Sequence, residues 1–425
     1  MNRSPTLPED DLQPVAGGGL LDRRMFLRHG VALGGAGLGF LAFDVGGADL
    51  PLWMKTPGGP LTHYGQPSPF EKEAIRFLSA NTQAPGHGVS WTPLHRLEGT
   101  ITPNGLHFER HHNGVPTIHP EQHRLRLHGL FSKPIQLSLE QLLRYPMISR
   151  QCFVECGGNS HAGWHEEPIQ TPVGYFHGLA SSSEWTGIPL SILLDEAGLQ
   201  PEARWLVAEG ADAGAMNVSI PIEKALDDTL LALYQNGERI RPEQGYPMRL
   251  ILPGFEAVLN VKWLQRLQAV KEPLMSRNET AKYTELEPSG KARQFTFVME
   301  AKSIITQPSP GFQLKGPGLY QISGLAWSGR GTIRRVEVSA DGGRSWAPAA
   351  LQEPLLSKCF TRFRLPWRWD GAPLILKSRA IDDTGYQQPE RSTLIAERGQ
   401  RGYFHYNAIV AFAVESDGSL RHVYA

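Results

Sequence analysis

The chain has 425 residues, and its 42 Lys and Arg balance its 42 Asp and Glu. A length of this order predicts two or three domains, each large enough for its own core. The neutral balance lacks the basic excess that nucleic-acid binding needs, and no apolar run reaches the 18 residues of a membrane span. Three cysteines exclude a disulfide-rich scaffold. We therefore expect a globular protein that binds no nucleic acid and is not stably inserted in a membrane.

The first 48 residues predict export rather than a folded domain. Arg23 and Arg24 precede an uncharged apolar stretch, 30–43, that contains five glycines. This stretch is too short for a stable membrane span and too rich in glycine for a buried helix, but it suits the core of a signal peptide. The paired arginines resemble a twin-arginine signal, with cleavage expected near Ala48. We expect a periplasmic protein that is exported already folded, as is needed when a cofactor is inserted in the cytoplasm.

The pattern after the leader is mixed up to about residue 300. Alternation of apolar and polar residues at 123–130 predicts a strand, and 190–199 predicts a helix closed by glycine. Residues 70–78 predict one short amphipathic helix within an irregular lead-in. Because strands and helices do not alternate regularly, an α+β domain is favoured over a doubly wound sheet.

After residue 300 the pattern becomes that of strands alone. Alternating stretches at 319–327 and 333–339 are followed by a turn at 341–343, and shorter strands are predicted at 363–365 and 375–380. This spacing is typical of a β-sandwich. The predicted division is 1–48, 49–300 and 301–425, with the second boundary between Ser289 and Thr306.

The distribution of histidines indicates that any reactive centre lies in the first region, because 11 of the 15 lie between His87 and His177. His107 and His111 have the i, i+4 spacing that would place a zinc pair on one helix face. The glutamate of zinc-protease motifs is absent, and nearby Gly and Pro argue against a helix.

The cysteines leave several interpretations open. Cys152 and Cys156 are compatible with half of a zinc site, a disulfide or a buried pair. Cys359 lies alone in the other region, so no second pair completes a zinc site, and no haem-attachment sequence is present. Glycines 157 and 158 would let the backbone after Cys156 approach a ligand and present a thiolate into a pocket.

Several segments, in order, resemble the sulfite oxidase family of molybdenum enzymes. Residues 156–159, Cys-Gly-Gly-Asn, are similar to the family's Cys-Ala-Gly-Asn, and 108–116 resemble the segment that carries a substrate-facing arginine and a pterin-binding histidine. The resemblance covers essentially the whole mature chain and points to the bacterial sulfane dehydrogenases. It implies a molybdopterin domain of the sulfite oxidase type followed by an immunoglobulin-like dimerisation domain. The other matching segments are 219–226, 231–238, 245–254 and 261–264.

The resemblance also implies roles for individual residues. Cys156 would be the protein's ligand to molybdenum, Arg110 would face the substrate and Tyr283 would stand beside the oxo groups. Tyr175 would supply an aromatic pocket wall where the animal enzymes usually carry tryptophan. The residues expected to hold Mo-molybdopterin or its phosphate are Phe108, Arg110, His112, Asn159, Asp212, Gln244, Arg249, Asn260, Val261 and Lys262.

Two departures from the family pattern bear on substrate choice and cofactor binding. Ser160 and His161 stand where the family normally has two arginines, so a second substrate-facing guanidinium is missing and a pocket for small dianions is weakened. Gln244 replaces a pterin-binding histidine. No haem-binding domain is fused to this chain, so electrons are expected to leave to a separate carrier.

The resemblance therefore predicts an enzyme that oxidises sulfane sulfur held on a cysteine of a carrier protein and passes electrons to a c-type cytochrome. His161 is expected at the substrate end of the pocket. A homodimer within a larger hetero-oligomer is also expected. The alternatives are a sulfite dehydrogenase that uses free sulfite, and a non-catalytic periplasmic protein that binds zinc or another ligand through the histidine-rich segment.

Overall fold

The structure is a computed structural model that describes residues 14–22 and 50–425 of the chain. The predicted signal core at 30–43 and the arginine pair before it lie outside the described residues. Within 14–22 and 50–425, no helix is long and apolar enough to cross a membrane.

The first region consists of short strands and a few short helices. Its strands, together with two from residues 14–22, are β1 (Pro14–Ala16), β2 (Leu20–Leu21), β3 (Phe77–Ala80), β4 (Gly88–Trp91), β5 (Glu109–His111), β6 (Arg124–Gly129), β7 (Ile135–Ser138), β8 (Ile148–Glu155), β9 (Ala180–Pro189), β10 (Trp205–Gly210), β11 (Asn217–Pro221), β12 (Leu230–Gln235), β13 (Glu238–Arg239), β14 (Arg249–Ile251), β15 (Leu264–Val270), β16 (Thr284–Leu286) and β17 (Ala292–Gln294).

The helices of this region are short. The α-helices are α1 (Leu139–Leu142), α2 (Val173–His177), α3 (Leu190–Glu196) and α4 (Ile222–Asp227). Turns of 3-10 helix lie at Gly17–Gly19, Leu52–Met54, Leu94–Arg96, Asn104–Leu106, His161–Trp164, Pro242–Gln244 and Ala257–Leu259, and a π-helical turn lies at Asn278–Lys282.

Strands β3 to β17 form four sheets. Their orders are β3-β4-β5, β11-β10-β15-β6-β7, β13-β12-β9-β8 with β14 also on β12, and the hairpin β16-β17. The β6–β15 pair is parallel, whereas β8 and β9 run antiparallel over eight residue pairs. Leu, Ile and Val side chains bury the second sheet against α3 and α4. The α+β class is confirmed, and the ends of β5, β8 and β14 carry the site described below.

Two of the three local predictions for this region are confirmed. The alternating stretch at 123–130 forms β6, and 190–199 contains α3, which ends before Gly198 at a φ of +70°. The helix predicted at 70–78 was wrong, because Phe77–Ala80 is a strand and the preceding residues are irregular. Phe70 is 90% exposed, so this segment has no surface on which to bury an apolar face, and a helix this short is unstable alone.

The second region is a β-sandwich, as predicted. Its elements are β18 (Lys302–Gln307), β19 (Gly318–Trp327), β20 (Ile333–Ser339), β21 (Ala347–Pro348), β22 (Ala350–Leu351), β23 (Thr361–Trp369), β24 (Leu374–Asp382), α5 (Arg391–Arg398), β25 (Ala411–Val414) and β26 (Leu420–Val423). One sheet has the order β1-β2-β23-β19-β18 with β22 on β23, and the other has the order β21-β20-β24-β25-β26.

The sandwich core follows from the alternation in its strands. In β20, Ile333, Val336 and Val338 are buried, and a bulge places two exposed arginines in succession between the first two. Buried aromatic side chains from both sheets, including Trp327, Trp367 and Phe412, fill the space between them. Residues 14–22, which the sequence assigned to the leader, form the first two strands of this sandwich.

A buried ion pair joins the two regions. Glu155, the last residue of β8, accepts hydrogen bonds from Lys302 Nζ at 3.1 Å and from the indole Nε1 of Trp327 at 2.7 Å. Only 2% of each charged side chain is exposed. Because an unpaired charge in such a place is costly, the two regions must be docked for this pair to be stable.

We expect Lys302→Met to lower the free energy of unfolding by about 3–5 kcal/mol, because the change leaves the buried Glu155 carboxylate without its counter-charge. Arg144→Met is the matched control. It removes an arginine that is 72% exposed and paired with Glu140, and should cost at most about 0.5 kcal/mol. Urea unfolding of the two variants measures this difference, and equal shifts would contradict the role assigned to the pair.

Candidate active site

A cavity lies where β5 and β8 end and where β14 begins. Eleven of the fourteen site residues predicted from the sequence line this single cavity. These are Phe108, Arg110, His112, Cys156, Asp212, Gln244, Arg249, Asn260, Val261, Lys262 and Tyr283.

Cys156 is held at the wall of the cavity by the residues around it. It follows β8 directly, and its backbone N–H donates to the carbonyl of Leu179 at 2.9 Å. The side chain is partly exposed, and burial raises the pKa of the thiol to about 11. Cys156, Cys152 and Cys359 are all free thiols, so the disulfide considered for the first pair does not form. Of the three, Cys156 alone lines the cavity.

Glycine at 157 is required by the packing beneath the loop. A Cβ at this position would lie 2.1 Å from Glu256 Oε1 and 3.1 Å from the Phe404 ring. The carbonyl of Gly157 accepts from the backbone N–H of His405 at 2.6 Å. The loop after Cys156 is therefore clamped between a buried carboxyl group and a segment of the sandwich domain.

The residues after this loop are held in an uncommon conformation. Ser160 has a φ of +65°, a left-handed value that costs free energy for a residue other than glycine. Its hydroxyl accepts from Lys302 Nζ at 2.7 Å and contacts His177 Nδ1 at 2.7 Å. Lys302 thus binds both ends of the segment, through Glu155 and through Ser160.

Three cationic side chains, Arg110, Arg249 and Lys262, form a cationic wall of the cavity. Arg249 is buried, with Nη2 donating to the Asn260 carbonyl at 3.0 Å, while its Nε has no hydrogen-bond partner among the described residues. Burial lowers the pKa of Arg249 to about 9, and burial together with Arg249 lowers the pKa of Lys262. A buried donor without an acceptor beside two further cations, Arg110 and Lys262, fits an anionic group such as a phosphate.

His111 is a cavity residue that the sequence analysis did not assign to this site. Its Nδ1 accepts from Lys262 Nζ at 2.9 Å, and its Nε2 donates to Glu109 Oε2 at 2.8 Å. Burial and the charge of Lys262 lower the pKa of His111 to about 3, so the ring is neutral. It belongs to β5 and not to a helix, so the helical zinc pair with His107 does not form.

His112 and Tyr283 form a hydrogen-bonded pair at the cavity. Lys282 Nζ donates to His112 Nδ1, and His112 Nε2 donates to the Tyr283 hydroxyl, each at 3.1 Å. Burial lowers the pKa of His112 to about 3 and raises the pKa of Tyr283 well above its usual value. The tyrosine therefore keeps its proton, and this proton is available to donate into the cavity.

Three predicted site residues do not line the cavity. Asn159 is buried, and its amide bonds Glu155 and the backbone of Leu179, so it supports the Cys156 loop. Tyr175 packs against Trp91, with ring centroids 4.6 Å apart and the rings tilted by 32°. His161 follows Ser160 in the loop and faces the sandwich domain.

The sandwich domain contributes aromatic side chains beside the Cys156 loop. Tyr403 stacks on His161 with ring centroids 5.2 Å apart and lies over Gly158, and Phe404 lies 5.6 Å from the Tyr283 ring. No local pattern around residue 403 indicated this, because the contact joins residues more than 240 positions apart. Burial lowers the pKa of His161, so its ring is neutral at pH 7.

Glu256 is a second residue that the sequence analysis missed. Its Oε2 accepts from the backbone N–H of Thr296 at 3.1 Å, whereas the buried Oε1 has no partner among the described residues. Burial raises the pKa of Glu256 to about 7, and the neighbouring Glu285 acts in the same direction. A carboxyl group that is partly protonated near neutral pH therefore lies against the Cys156 loop.

The residues described in 14–22 and 50–425 include no cluster of three or more His, Cys, Asp and Glu that could hold a metal ion. The zinc alternative therefore finds no ligand set in this part of the chain. A single thiol beside three cations suits a metal whose other ligands belong to an anionic organic cofactor.

Comparison with known proteins agrees with this site. A family described as "Oxidoreductase molybdopterin binding domain" matches residues 112–278, and one described as "Mo-co oxidoreductase dimerisation domain" matches 293–411. The crystal structure of the sulfane dehydrogenase SoxCD from Paracoccus pantotrophus is similar at 43% identity and a TM-score of 0.86, over 89% of this chain and 98% of that chain. The chain belongs to the sulfite oxidase family of molybdenum oxidoreductases.

More distant members of the sulfite oxidase family are animal enzymes. Mitochondrial sulfite oxidase from Mus musculus is 30% identical over 353 residues, which is 76% of this chain and 63% of that protein. Sulfite oxidase from Gallus gallus is 33% identical over 293 residues, which is 64% of this chain and 63% of that protein. The chain thus spans less than two thirds of the length of these relatives.

We expect Glu256→Gln to gain stability relative to the unmodified chain as the pH rises. Glu256 binds its proton more tightly in the folded chain than in the unfolded chain, because burial raises its pKa from 4.5 to about 7. Its contribution to stability is therefore full below pH 4.5 and is lost as the pH rises through 7, and glutamine removes this loss.

Urea unfolding of both proteins at pH 5 and pH 8 measures the effect. The stability difference between the variant and the unmodified chain should shift toward the variant at pH 8. A difference that does not depend on pH would contradict the raised pKa.

Proposed function

We propose that this molybdenum oxidoreductase oxidises sulfane sulfur carried on a cysteine of a partner protein and passes the electrons to a c-type cytochrome. The observation that carries the substrate class lies beside the Cys156 loop, just outside the cavity lining. The neutral imidazole of His161 and the exposed ring of Tyr403 stack there, where the family normally has a second arginine. The similarity to a sulfane dehydrogenase supports the same choice.

The cofactor is proposed to bind by its anionic end to the cationic wall. Arg249 and Lys262 would hold the phosphate, as fork and point charge respectively, and the orphaned Nε of Arg249 would gain a partner. Cys156 would bind the metal as thiolate, because coordination removes the proton that burial otherwise holds on the thiol. When bound, the molybdenum cofactor supplies oxygen transfer to sulfur and takes up two electrons.

The chain's own residues orient the reacting sulfur. Arg110 donates to the carbonyl of Gly88 and to the ring of His87, and makes no ion pair with a carboxylate in the described residues, so its charge remains available to an oxyanion. The hydroxyl oxygen of Tyr283 accepts a hydrogen bond from His112 Nε2. Its O–H can therefore donate into the cavity and stabilise the same oxyanion. Arg110 is held by Gly88 and His87 and Tyr283 by His112, so both groups are positioned before substrate binds.

Cellular location and assembly complete the proposal. The chain would be exported folded to the periplasm by the twin-arginine route and would form a homodimer through the sandwich domain, within a larger assembly that includes the cytochrome. The match of 293–411 to a dimerisation domain supports the homodimer.

Sulfite oxidation is the second candidate function, because the animal relatives are sulfite oxidases. A free dianion would be held in this cavity with one fewer charged hydrogen bond, a loss of about 1.5–3 kcal/mol or roughly ten- to more than a hundredfold in affinity. A sulfur atom on a carrier depends less on charge, because protein contacts outside the cavity contribute to binding.

We expect Cys156→Ser to retain the pterin and lose turnover by more than about 100-fold, because a hydroxyl does not replace a soft thiolate as a ligand. Cys152→Ser is the matched control, since this thiol is buried in β8 and does not line the cavity, and it should affect stability only. Steady-state rates and pterin fluorescence of the purified variants measure both effects. An active Cys156→Ser enzyme would contradict the assignment of the metal ligand.

We expect the unmodified enzyme to oxidise carrier-bound sulfane sulfur much faster than free sulfite, with a cytochrome c as the acceptor. His161→Arg should improve apparent affinity for sulfite by about tenfold or more, because it adds a charged donor on a longer side chain beside the Cys156 loop. His165→Arg makes the same change at an exposed neighbour and should have no such effect. Tight and fast oxidation of free sulfite by the unmodified enzyme would favour the sulfite dehydrogenase instead.

A further inference from the structure

A segment of the predicted leader is bound to the edge of the sandwich domain. Strands β1 and β2 form a hairpin, and Leu20 of β2 pairs with Trp367 of β23. Strand β22 pairs with the same edge of β23 at 363–364, so β2 continues the edge that β22 begins. Leu20 and Leu21 are 0% and 1% exposed, and Leu20 belongs to the sandwich core.

The sandwich supplies side-chain partners to the backbone of this segment. The indole Nε1 of Trp367 donates to the carbonyl of Gly18 at 2.8 Å, and the backbone N–H of Gly17 donates to Ser345 Oγ at 2.7 Å. The Ser345 hydroxyl in turn donates to Asp341 Oδ2 at 2.6 Å, which fixes its orientation. Directed bonds of this kind are the mark of a built site and not of a chance contact.

The sandwich surface also leaves no room for side chains at two positions of this segment. A Cβ at Gly18 would lie 2.3 Å from the carbonyl oxygen of Ala340, and one at Gly19 would lie 1.9 Å from that of Arg368. Both glycines have positive φ values, +69° and +85°, which other residues rarely adopt. The site therefore accepts two glycines followed by two buried leucines.

We propose that the sandwich domain carries a binding site for residues 14–22 of its own chain, which holds the leader on the folded domain until the leader is cleaved. The site exists only when β23 and the loop at 340–345 are folded, and the arginine pair begins directly after residue 22. The two arginines that an export receptor would recognise therefore follow, in the sequence, residues that are bound only when the sandwich is folded. Docking also covers an edge that would otherwise be open to aggregation.

The function given to this segment rests on the proposed export route. Its docking to the sandwich does not, because docking is measured on the purified protein. Limited trypsin digestion of the full chain measures whether residues 14–22 are bound to the sandwich. Cleavage after Arg23 or Arg24 requires residues 20–22 to leave the sandwich, whereas Arg28 lies further along the chain and serves as an internal reference. Cleavage rates of this kind follow the population of the open form.

Gly19→Ala changes the leader alone and should raise the rate of cleavage after Arg23 or Arg24 by about tenfold or more, with no change after Arg28. Val15→Ala is the matched control, because Val15 is 47% exposed in the same hairpin, and it should leave both rates unchanged. Trp367→Phe removes the donor to Gly18 from the other side and should also raise the first rate. Deuterium exchange of peptides that cover 14–22 should be faster in Gly19→Ala and Trp367→Phe than in Val15→Ala and the unmodified chain.

The proposal is overturned if Gly19→Ala leaves cleavage after the arginine pair unchanged, or if residues 14–22 of the unmodified chain exchange as fast as an unstructured peptide. Binding of residues 14–22 to their own chain is also overturned if their protection from exchange falls on dilution. In that case a second copy of the chain would supply the strand. In each of these cases normal processing of the leader in cells would leave the export proposal standing, so the two failures are distinguishable.

Discussion

The buried ion pair between Glu155 and Lys302 is the interaction on which the candidate site depends. Glu155 is the residue before Cys156, and Lys302 is the first residue of the sandwich strand β18. The same ammonium group binds Ser160, whose backbone is left-handed, so it fixes both ends of the loop that presents the thiol. With both charges removed from water, the loop geometry and the docking of the two regions become one cooperative event.

Burial also determines the charge balance of the cavity. His111 and His112 are neutral there because they are buried and lie beside cations, so they accept hydrogen bonds from Lys262 and Lys282. Arg249 and Lys262 line the same cavity, and burial lowers the pKa of both, because their charged forms are disfavoured where no counter-charge is bound. This arrangement costs free energy in the chain alone and is relieved by an anionic cofactor, which is a physical reason for the cavity to bind one.

The parts of the fold that could be predicted from sequence are those with a local cause. Strand β6, helix α3 and the sandwich follow from periodicity and turn residues, whereas the helix at 70–78 had the pattern but no partner surface. Arg249 and Lys262 were identified through a family resemblance. Glu256 and Tyr403 were not, because their place beside Cys156 results from contacts between residues about 100 and 250 positions apart, which no local pattern records.

Metal content tests directly whether one thiol and a cationic wall hold a molybdenum cofactor. The measurement is elemental analysis by plasma mass spectrometry of the full chain, purified from a host that makes molybdopterin. We expect about one molybdenum per chain and no stoichiometric zinc. Stoichiometric zinc without molybdenum would contradict it and would favour the non-catalytic binding protein.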